Sequence, residues 1–246
     1  LPYIDNCQWT QHQQVDTLIL QALNGEIDMQ YRHFGTLNNK AVFFDGQQKG
    51  GYSLFALGSV NHPICIYFNL SSVDPVLGPL FRNKDFRIGL SHAINRQEII
   101  DLLYFGQATP SQYAPSPKGP FANPKMSTQY TEFDLKKANE YLDKVGLTKK
   151  DSDGFRLRPD GKRLALLAEV ATAYPTQGDA MNLVKKTWKE VGVDLTVKME
   201  DRSIQWENKA ANKHEIFLWA AGGTDGIDVI LNVQAYFPDR AAAFQA

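Results

Sequence analysis

The residues best suited to bind a small molecule follow a predicted strand near the end of the chain, between Trp219 and Asp228. Two adjacent glycines, Gly222 and Gly223, allow a ligand to approach the backbone closely. The carboxylates of Asp225 and Asp228 can bind an ammonium group or accept hydrogen bonds from sugar hydroxyls, and Trp219 offers an apolar ring. This pattern predicts a ligand-binding loop. The alternative is a glycine-rich turn in which Asp225 caps the next helix.

A second candidate loop runs from residue 107 to residue 124 and contains five prolines. Proline lacks a backbone N–H group, so this segment is predicted to be neither a helix nor a central strand. Long irregular segments inside compact domains are often functional, and aromatic residues favour an ordered, packed loop. The aromatic residues Tyr113 and Phe121 are therefore candidate ligand contacts.

The sequence lacks the common catalytic and cofactor-binding motifs. It contains no GxGxxG, GxxxxGK[ST] or GxSxG, the usual signals for dinucleotides, nucleotide phosphates and serine hydrolases. His214-Glu215 begins like a zinc-protease motif, but Leu218 stands where the second zinc ligand is required. Residues 151–154 do not complete a calcium loop and predict a turn. His92 falls inside a predicted helix, so we expect a packed side chain. No catalytic residue, metal site or cofactor is predicted.

Composition excludes several partner classes. The chain has 26 Lys and Arg against 27 Asp and Glu, so no basic field favours nucleic acid or an anionic membrane. No apolar run reaches the roughly 18 residues that span a bilayer. The only cysteines, Cys7 and Cys65, are too far apart for a zinc or redox motif. We expect buried free thiols, although an oxidising compartment would permit them to pair.

Helix and strand signals alternate along the chain, which favours an α/β fold with a sheet covered by helices. The clearest signal is the segment Lys84 to Gly106, which predicts two helices that share one junction. Asp85 is the predicted cap of the first helix. Asn95 with Glu98 makes a start resembling a capping box for the second helix, and Gly106 is its predicted stop. Both helices present apolar residues to a core.

The remaining predicted elements set the positions of the candidate loops. Residues 38–51 lose periodicity and predict a linker or a change of layer. Ligands of α/β sheets bind at strand ends, so the strand before residue 219 is the one that positions the Trp219 loop. The other predicted helices cover residues 16–23, 134–146, 180–191 and 203–212. The predicted strands cover residues 1–4, 26–29, 52–57, 64–70, 155–158, 164–170, 193–199 and 216–219. Among them, 155–158 and 164–170 are predicted to pair as a hairpin.

Several segments, taken in order, resemble one family. They are ALNGEID at 22–28, IYFN at 66–69, FRIGLSHAINRQEI at 86–99 and GQATP at 106–110. Together they resemble the extracytoplasmic solute-binding proteins of the dipeptide, oligopeptide and nickel class of ABC importers, known as solute-binding protein family 5. The later helices and turns follow the same order, so the resemblance covers nearly the whole chain.

This resemblance implies a lobe of the periplasmic-binding-protein-like (type II) fold, with a mixed sheet covered by helices, taken from a longer bilobed receptor. Residues 1–50 would be a remnant of the first lobe, an α/β unit. Residues 51–70 would hold the strands next to the hinge. Residues 71–246 would form the second lobe, and both the export signal and the C-terminal return to the first lobe would lie outside this chain.

The resemblance also implies a non-enzymatic role outside the cytoplasm, in the periplasm or its equivalent. A monomeric receptor of this kind captures an oligopeptide or similar small solute between its lobes, needs no cofactor, and delivers the solute to membrane permease subunits. In peptide-binding relatives, an Asp after the strand that here ends at Trp219 holds the peptide ammonium group, so Asp225 and Asp228 are the candidates. Three alternatives remain open: an oligosaccharide-binding member of the same family, a secreted hydrolase that uses unrecognised carboxylates, and a purely structural or adhesive domain.

Overall fold

The computed structural model describes residues 3–12, 14–30, 37–55, 61–222, 226 and 228–231. The chain divides into two compact units, residues 1–58 and residues 59–246. The assignment of residues 1–50, 51–70 and 71–246 to a first lobe, hinge strands and a second lobe stays a prediction.

The described residues of the first unit form two α-helices. Helix α1 spans Val15–Leu23, and helix α2 spans Lys40–Gly50 after one 3₁₀ turn, Leu37–Asn39. Leu18 and Ala22 of α1 pack with Phe43 of α2 in a small buried core. The predicted helix 16–23 is therefore confirmed.

The predicted linker at residues 38–51 is wrong, because most of this segment is helix α2. Its glycines, which indicated a loop, allow close packing. A Cβ atom on Gly46 would lie 2.9 Å from the Leu23 Cδ2 atom, and one on Gly50 would lie 2.8 Å from the Leu23 carbonyl oxygen. Both distances are too short for a larger side chain at these positions. Glycine therefore allows α2 to pack closely against the end of α1.

The predicted strands of the first unit are also wrong where the structure describes them. Residues 3–4, 26–29 and 52–55 adopt no strand conformation, and the rest of the predicted strands 1–4 and 52–57 lies outside the described residues. A short extended segment needs a neighbouring strand to satisfy its backbone, and the described part of this unit contains none. Cys7, which we expected to be buried, is exposed, and Cys65 is half-buried.

The second unit is built on a four-stranded mixed sheet with the order β1-β4-β2-β3. Strands β2, β3 and β4 run parallel, and β1 runs antiparallel to β4. The carboxyl ends of the three parallel strands therefore meet at one edge of the sheet. The strands are β1, Asn61–Phe68; β2, Ala165–Ala171; β3, Asp194–Glu200; and β4, Ile216–Gly222.

One face of this sheet carries the main core of the unit. Leu166 of β2 and Leu218 of β4 point into it, together with the fully buried Trp188, whose Nε1 donates to the Leu90 carbonyl at 3.1 Å. The helices that contribute to this core are α3, Leu77–Arg82; α4, Lys84–His92; α5, Arg96–Tyr104; α7, Leu135–Lys144; and α8, Pro175–Glu190.

The two helices predicted between residues 84 and 106 are α4 and α5. The Asn83 side chain caps α4 by accepting from the Asp85 backbone N–H at 2.9 Å, so the predicted Asp85 cap is wrong. Asn95 caps α5, as predicted, by accepting from the Glu98 N–H at 3.2 Å. The packed environment expected for His92 is also observed: it is buried, and its ring stacks on Tyr141.

The predicted hairpin between residues 155–158 and 164–170 is wrong. Residues 155–158 form only isolated bridges, Lys150 with Arg156 and Leu157 with Arg163. Residues 165–171 instead form β2, which pairs in parallel with both β3 and β4. Parallel strands are buried on both faces, and β2 has this pattern because Ala168, Glu169 and Val170 are all buried.

The remaining elements are close to their predicted positions. Residues 107–123 form the expected loop without helix or strand, followed by the short helix α6, Pro124–Thr128. Helix α9, Arg202–Ala210, is capped by Asp201 and not by Ser203. A last short helix, α10, covers Asp228–Leu231. Across the described residues, no helix is long and apolar enough to cross a membrane.

Candidate functional site

The second face of the sheet, opposite the main core, carries aromatic side chains from β1 and β4. Tyr67 and Phe217 are cross-strand partners, and Cys65 pairs with Trp219 one step along the same face. Side chains alternate along a strand, so Cys65 and Tyr67 of β1 lie on this face with Phe217, Trp219 and Ala221 of β4. A β-bulge between His62 and Cys65 makes His62 the cross-strand partner of Ala221. Tyr67 and Phe217 are buried, whereas Trp219 is half-buried and retains contact with solvent.

Two further elements add rings to this face. Tyr113, from the proline-rich loop, packs against the cluster and makes an edge-to-face contact with His62 at 5.4 Å between ring centroids. Trp206 of α9 makes edge-to-face contacts with Phe217 at 5.5 Å and with Trp219 at 5.2 Å. We call Tyr67, Tyr113, Trp206, Phe217 and Trp219 the aromatic cluster.

The exposed part of the cluster lies at the edge where the parallel strands end. Tyr174, which follows β2, packs edge-to-face on Trp219 at 5.3 Å. Arg202, which follows β3, places its Cζ atom 4.9 Å from the Trp219 ring centroid. A surface cavity of about 470 Å³ beside them is lined by Arg202, Ser203 and Trp206. These five residues, named the Trp219 site below, occupy the position at which α/β sheets bind ligands.

Three titratable groups at the β1 side of the aromatic cluster, Cys65, Tyr67 and His62, favour their uncharged forms. Burial raises the pKa of the Cys65 thiol to about 11 and raises the pKa of the Tyr67 phenol as well. Burial also lowers the pKa of His62, which favours the uncharged imidazole. This chemistry suits stacking and hydrogen bonding with a bound molecule better than nucleophilic attack, because a protonated thiol is a weak nucleophile.

The structure brings two of the predicted site residues together and leaves one apart. Trp219 and Tyr113 both belong to the aromatic cluster, although they are far apart in sequence. Phe121, in the same loop as Tyr113, lies outside the cluster with 41% of its surface exposed.

The predicted loop after β4 is described only in part. Gly222 ends β4 and pairs with Asn61 of β1. Gly223 and Asp225 lie outside the described residues, and Asp228 is the first residue of α10. An ammonium-binding role for Asp225 or Asp228 therefore stays a prediction.

Tyr174, Arg202 and Trp206 are site residues that the sequence analysis did not identify. Tyr174 and Arg202 each follow a parallel strand within three residues, so a rule that examines every strand end finds them. The sequence analysis missed Tyr174 because it predicted β2 as an antiparallel hairpin strand. That prediction did not place the carboxyl end of β2 beside the carboxyl end of β4.

The comparison with protein families decides what kind of chain carries this site. The family described as bacterial extracellular solute-binding proteins, family 5 (middle), matches residues 1–240. The chain belongs to this family.

Solved structures of related proteins agree with the family 5 fold. An oligopeptide-binding protein, OppA, is 30% identical with a TM-score of 0.72, and the match covers 93% of this chain and 36% of that chain. NikA from Brucella suis, in complex with Fe(III)-EDTA, is 18% identical with a TM-score of 0.66 over 94% of this chain and 43% of that chain. The predicted fold class, a periplasmic-binding-protein-like (type II) lobe with a mixed sheet covered by helices, is confirmed.

Two further relatives complete the comparison. A mannohexaose-bound periplasmic oligopeptide-binding protein of Thermotoga maritima is 20% identical with a TM-score of 0.66, over 93% of this chain and 42% of that chain. A probable ABC transporter-binding protein of Deinococcus radiodurans is 24% identical over 199 residues, or 80% of this chain and 33% of the relative. The family 5 chain thus spans well under half the length of the relatives it matches.

Proposed function

We propose that this family 5 chain is part of the substrate-binding component of an ABC importer, which captures an oligopeptide or similar small solute between two lobes and delivers it to membrane permease subunits. The observation that carries the proposal is the Trp219 site, where the half-buried Trp219 ring lies against Tyr174 and Arg202 at the carboxyl edge of the sheet. An open surface cavity beside them is lined by Arg202, Ser203 and Trp206. Ligand sites in proteins combine apolar rings with a few placed polar groups in this way.

The proposed mechanism is binding followed by closure, without catalysis. A solute that contacts both lobes stabilises the closed form, and the permease responds to that form. The uncharged His62 and Cys65 beside the aromatic cluster are consistent with a non-enzymatic role. We place the receptor outside the cytoplasm, as a monomer, in keeping with the family, and the net charge of −1 gives no reason to expect nucleic acid as a partner.

An oligosaccharide is the second candidate solute within the same family. The half-buried ring of Trp219 favours it, since amphipathic aromatic rings pack well against the apolar faces of sugars. The Thermotoga maritima relative is named for bound mannohexaose, which supports testing this solute class here. Titration with both solute classes separates the two candidates.

A secreted hydrolase is the alternative of another class, and a carboxylate pair at a substrate cleft would support it. Glu169 and Glu200 are adjacent carboxyl groups, but their exposed fractions are 3% and 7%, and they lie beneath α9. A glycosidase needs its two carboxyl groups on either side of a substrate bond. Turnover of a peptide or glycoside by the full-length protein, lost on substitution of one Asp or Glu, would establish this alternative.

Calorimetric titration of the full-length protein with peptide and oligosaccharide libraries tests the proposal. We expect one class to bind, and Trp219→Ala to weaken that binding about 30-fold or more, as for a central aromatic contact. The matched control is Phe133→Ala, an exposed aromatic residue before α7 with 42% exposure, which should leave affinity unchanged. Absence of binding to both libraries would contradict the proposal.

A further inference from the structure

Arg202 is the charged member of the Trp219 site. It is the first residue of α9, its side chain is exposed, and its guanidinium carbon lies over the Trp219 ring at 4.9 Å. This is the geometry of a cation–π contact, in which the ring face attracts the guanidinium and restrains its position.

Arg202 differs from the other arginines in the described residues by having no acceptor. Three of the others form ion pairs with aspartates, and three donate to backbone carbonyls. The guanidinium of Arg202 instead lies over the Trp219 ring. The arginines with acceptors are Arg156, Arg158 and Arg163, which pair with aspartates, and Arg82, Arg87 and Arg96, which donate to carbonyls.

The carboxylates next to Arg202 in sequence are already engaged. The Asp201 carboxylate accepts from the Ser203 backbone N–H at 2.8 Å, as the cap of α9. The Glu200 carboxylate is buried and lies 2.6 Å from the Lys198 ammonium nitrogen. The positive charge of Arg202 is therefore not neutralised by an ion pair within the described chain.

A guanidinium with free donors is suited to a planar oxyanion, because its fork of N–H groups matches the two oxygens of a carboxylate. The cavity that Arg202 lines with Ser203 and Trp206 provides space for such a group beside the rings. We infer that Arg202 binds a carboxylate of the solute, while Trp219 and Tyr174 contact the apolar part next to it. The inference rests on the proposed function and narrows its substrate class to anionic solutes, either peptides with a carboxylate at this position or oligosaccharides with a uronic acid.

Matched ligand pairs test the inference on the full-length protein by calorimetry. Each peptide pool is measured with free carboxylates and again with those carboxylates converted to amides, first at the C-terminus and then at the acidic side chains. Each oligosaccharide is measured with and without a uronic acid. We expect the carboxylate form of one class to bind about tenfold or more tightly than its neutral form, as charge-assisted pairing predicts. Arg202→Gln should weaken binding of the carboxylate form much more than binding of the neutral form and so remove this preference, and Arg202→Lys should retain part of it.

The control is Arg82→Gln, which removes another exposed arginine, one that donates to the Leu70 carbonyl. It should leave the preference for carboxylates intact. Equal binding of charged and neutral ligands, or an equal loss of both in Arg202→Gln, would overturn the inference and leave the proposed function standing. Failure of every ligand class to bind would overturn both.

Discussion

A buried carboxyl pair lies beneath the helix that carries Arg202 and Trp206. Glu169 of β2 accepts a hydrogen bond from the Asn208 side chain at 2.7 Å, and Glu200 of β3 lies 2.6 Å from the Lys198 ammonium. Among the described residues, Lys198 is the cation within ion-pair distance of both carboxyl groups, so the native state favours the protonated form of Glu169. Burial, with a further contribution from Glu200, raises the pKa of Glu169 to about 7.

This pair predicts a pH-dependent stability. The pKa of Glu169 is raised from 4.5 in its ordinary state to about 7 in the native state, so the native state binds the proton more tightly than the unfolded state does. The free energy of unfolding should therefore fall as pH rises from about 4.5 to about 7, by on the order of 1–3 kcal/mol. Glu169→Gln mimics the protonated group and should remove this fall in urea unfolding measured at pH 5 and pH 8.

Glu207→Gln is the matched control, because Glu207 is exposed on α9. It should keep the pH dependence of the parent protein. An unchanged pH dependence in Glu169→Gln would show that Glu169 does not take up the proton.

At the scale of elements, Arg156 joins three segments through one buried guanidinium. Its side chain is 1% exposed, and its Nε donates to the Val191 carbonyl at 2.8 Å, just beyond α8. Its NH2 group donates to the Asn139 side chain at 2.7 Å, on α7, and its NH1 group donates to the Leu147 carbonyl. The ends of α7 and α8 are therefore held to the turn at residues 151–163 by one side chain.

We predict that Arg156→Met destabilises the protein by about 2–4 kcal/mol, because two buried carbonyl groups lose their donor at roughly 1–3 kcal/mol each. The same substitution at the exposed Arg82 should change the free energy of unfolding by less than about 0.5 kcal/mol. Chemical denaturation of both variants measures the difference. Equal effects would mean that the contacts of Arg156 are replaced by water without loss.

Sequence patterns predicted most elements of the second unit, because its helices and strands bury one regular stripe or face. The apolar alternation of β3 and the segment 84–106 gave the right elements for this reason. Helix caps were less certain, since Asn83 and Asp85 both have side chains able to accept from a helix N-terminus. In α2, the residues Gly46 and Gly50 gave a loop signal that arises from close packing against α1, which only the tertiary structure reveals.

The candidate site was predicted in part for a related reason. Trp219 and Tyr113 were identified because local composition marks their segments. Glycines follow Trp219, and prolines surround Tyr113. Tyr174 and Arg202 join them only through the strand order β1-β4-β2-β3, and the pairing of strands distant in sequence is not encoded in local periodicity.

At the scale of the whole molecule, closure is the property that the proposed receptor must show. A solute that binds between two lobes stabilises the compact form, because only that form makes contacts from both sides. We therefore predict that the radius of gyration of the full-length protein, measured by small-angle X-ray scattering, decreases when the solute is added. Trp219→Ala should require a higher solute concentration for the same decrease. A radius that is unchanged at saturation would contradict closure.

The antiparallel pairing of β1 with β4 has a consequence for the architecture of the chain. Asn61, where β1 begins, is the cross-strand partner of Gly222, where β4 ends. Cross-strand partners have their Cα atoms only about 4.5–5.5 Å apart. The polypeptide thus enters and leaves the four-stranded sheet at neighbouring positions, so the chain segments before β1 and after β4 start from the same place.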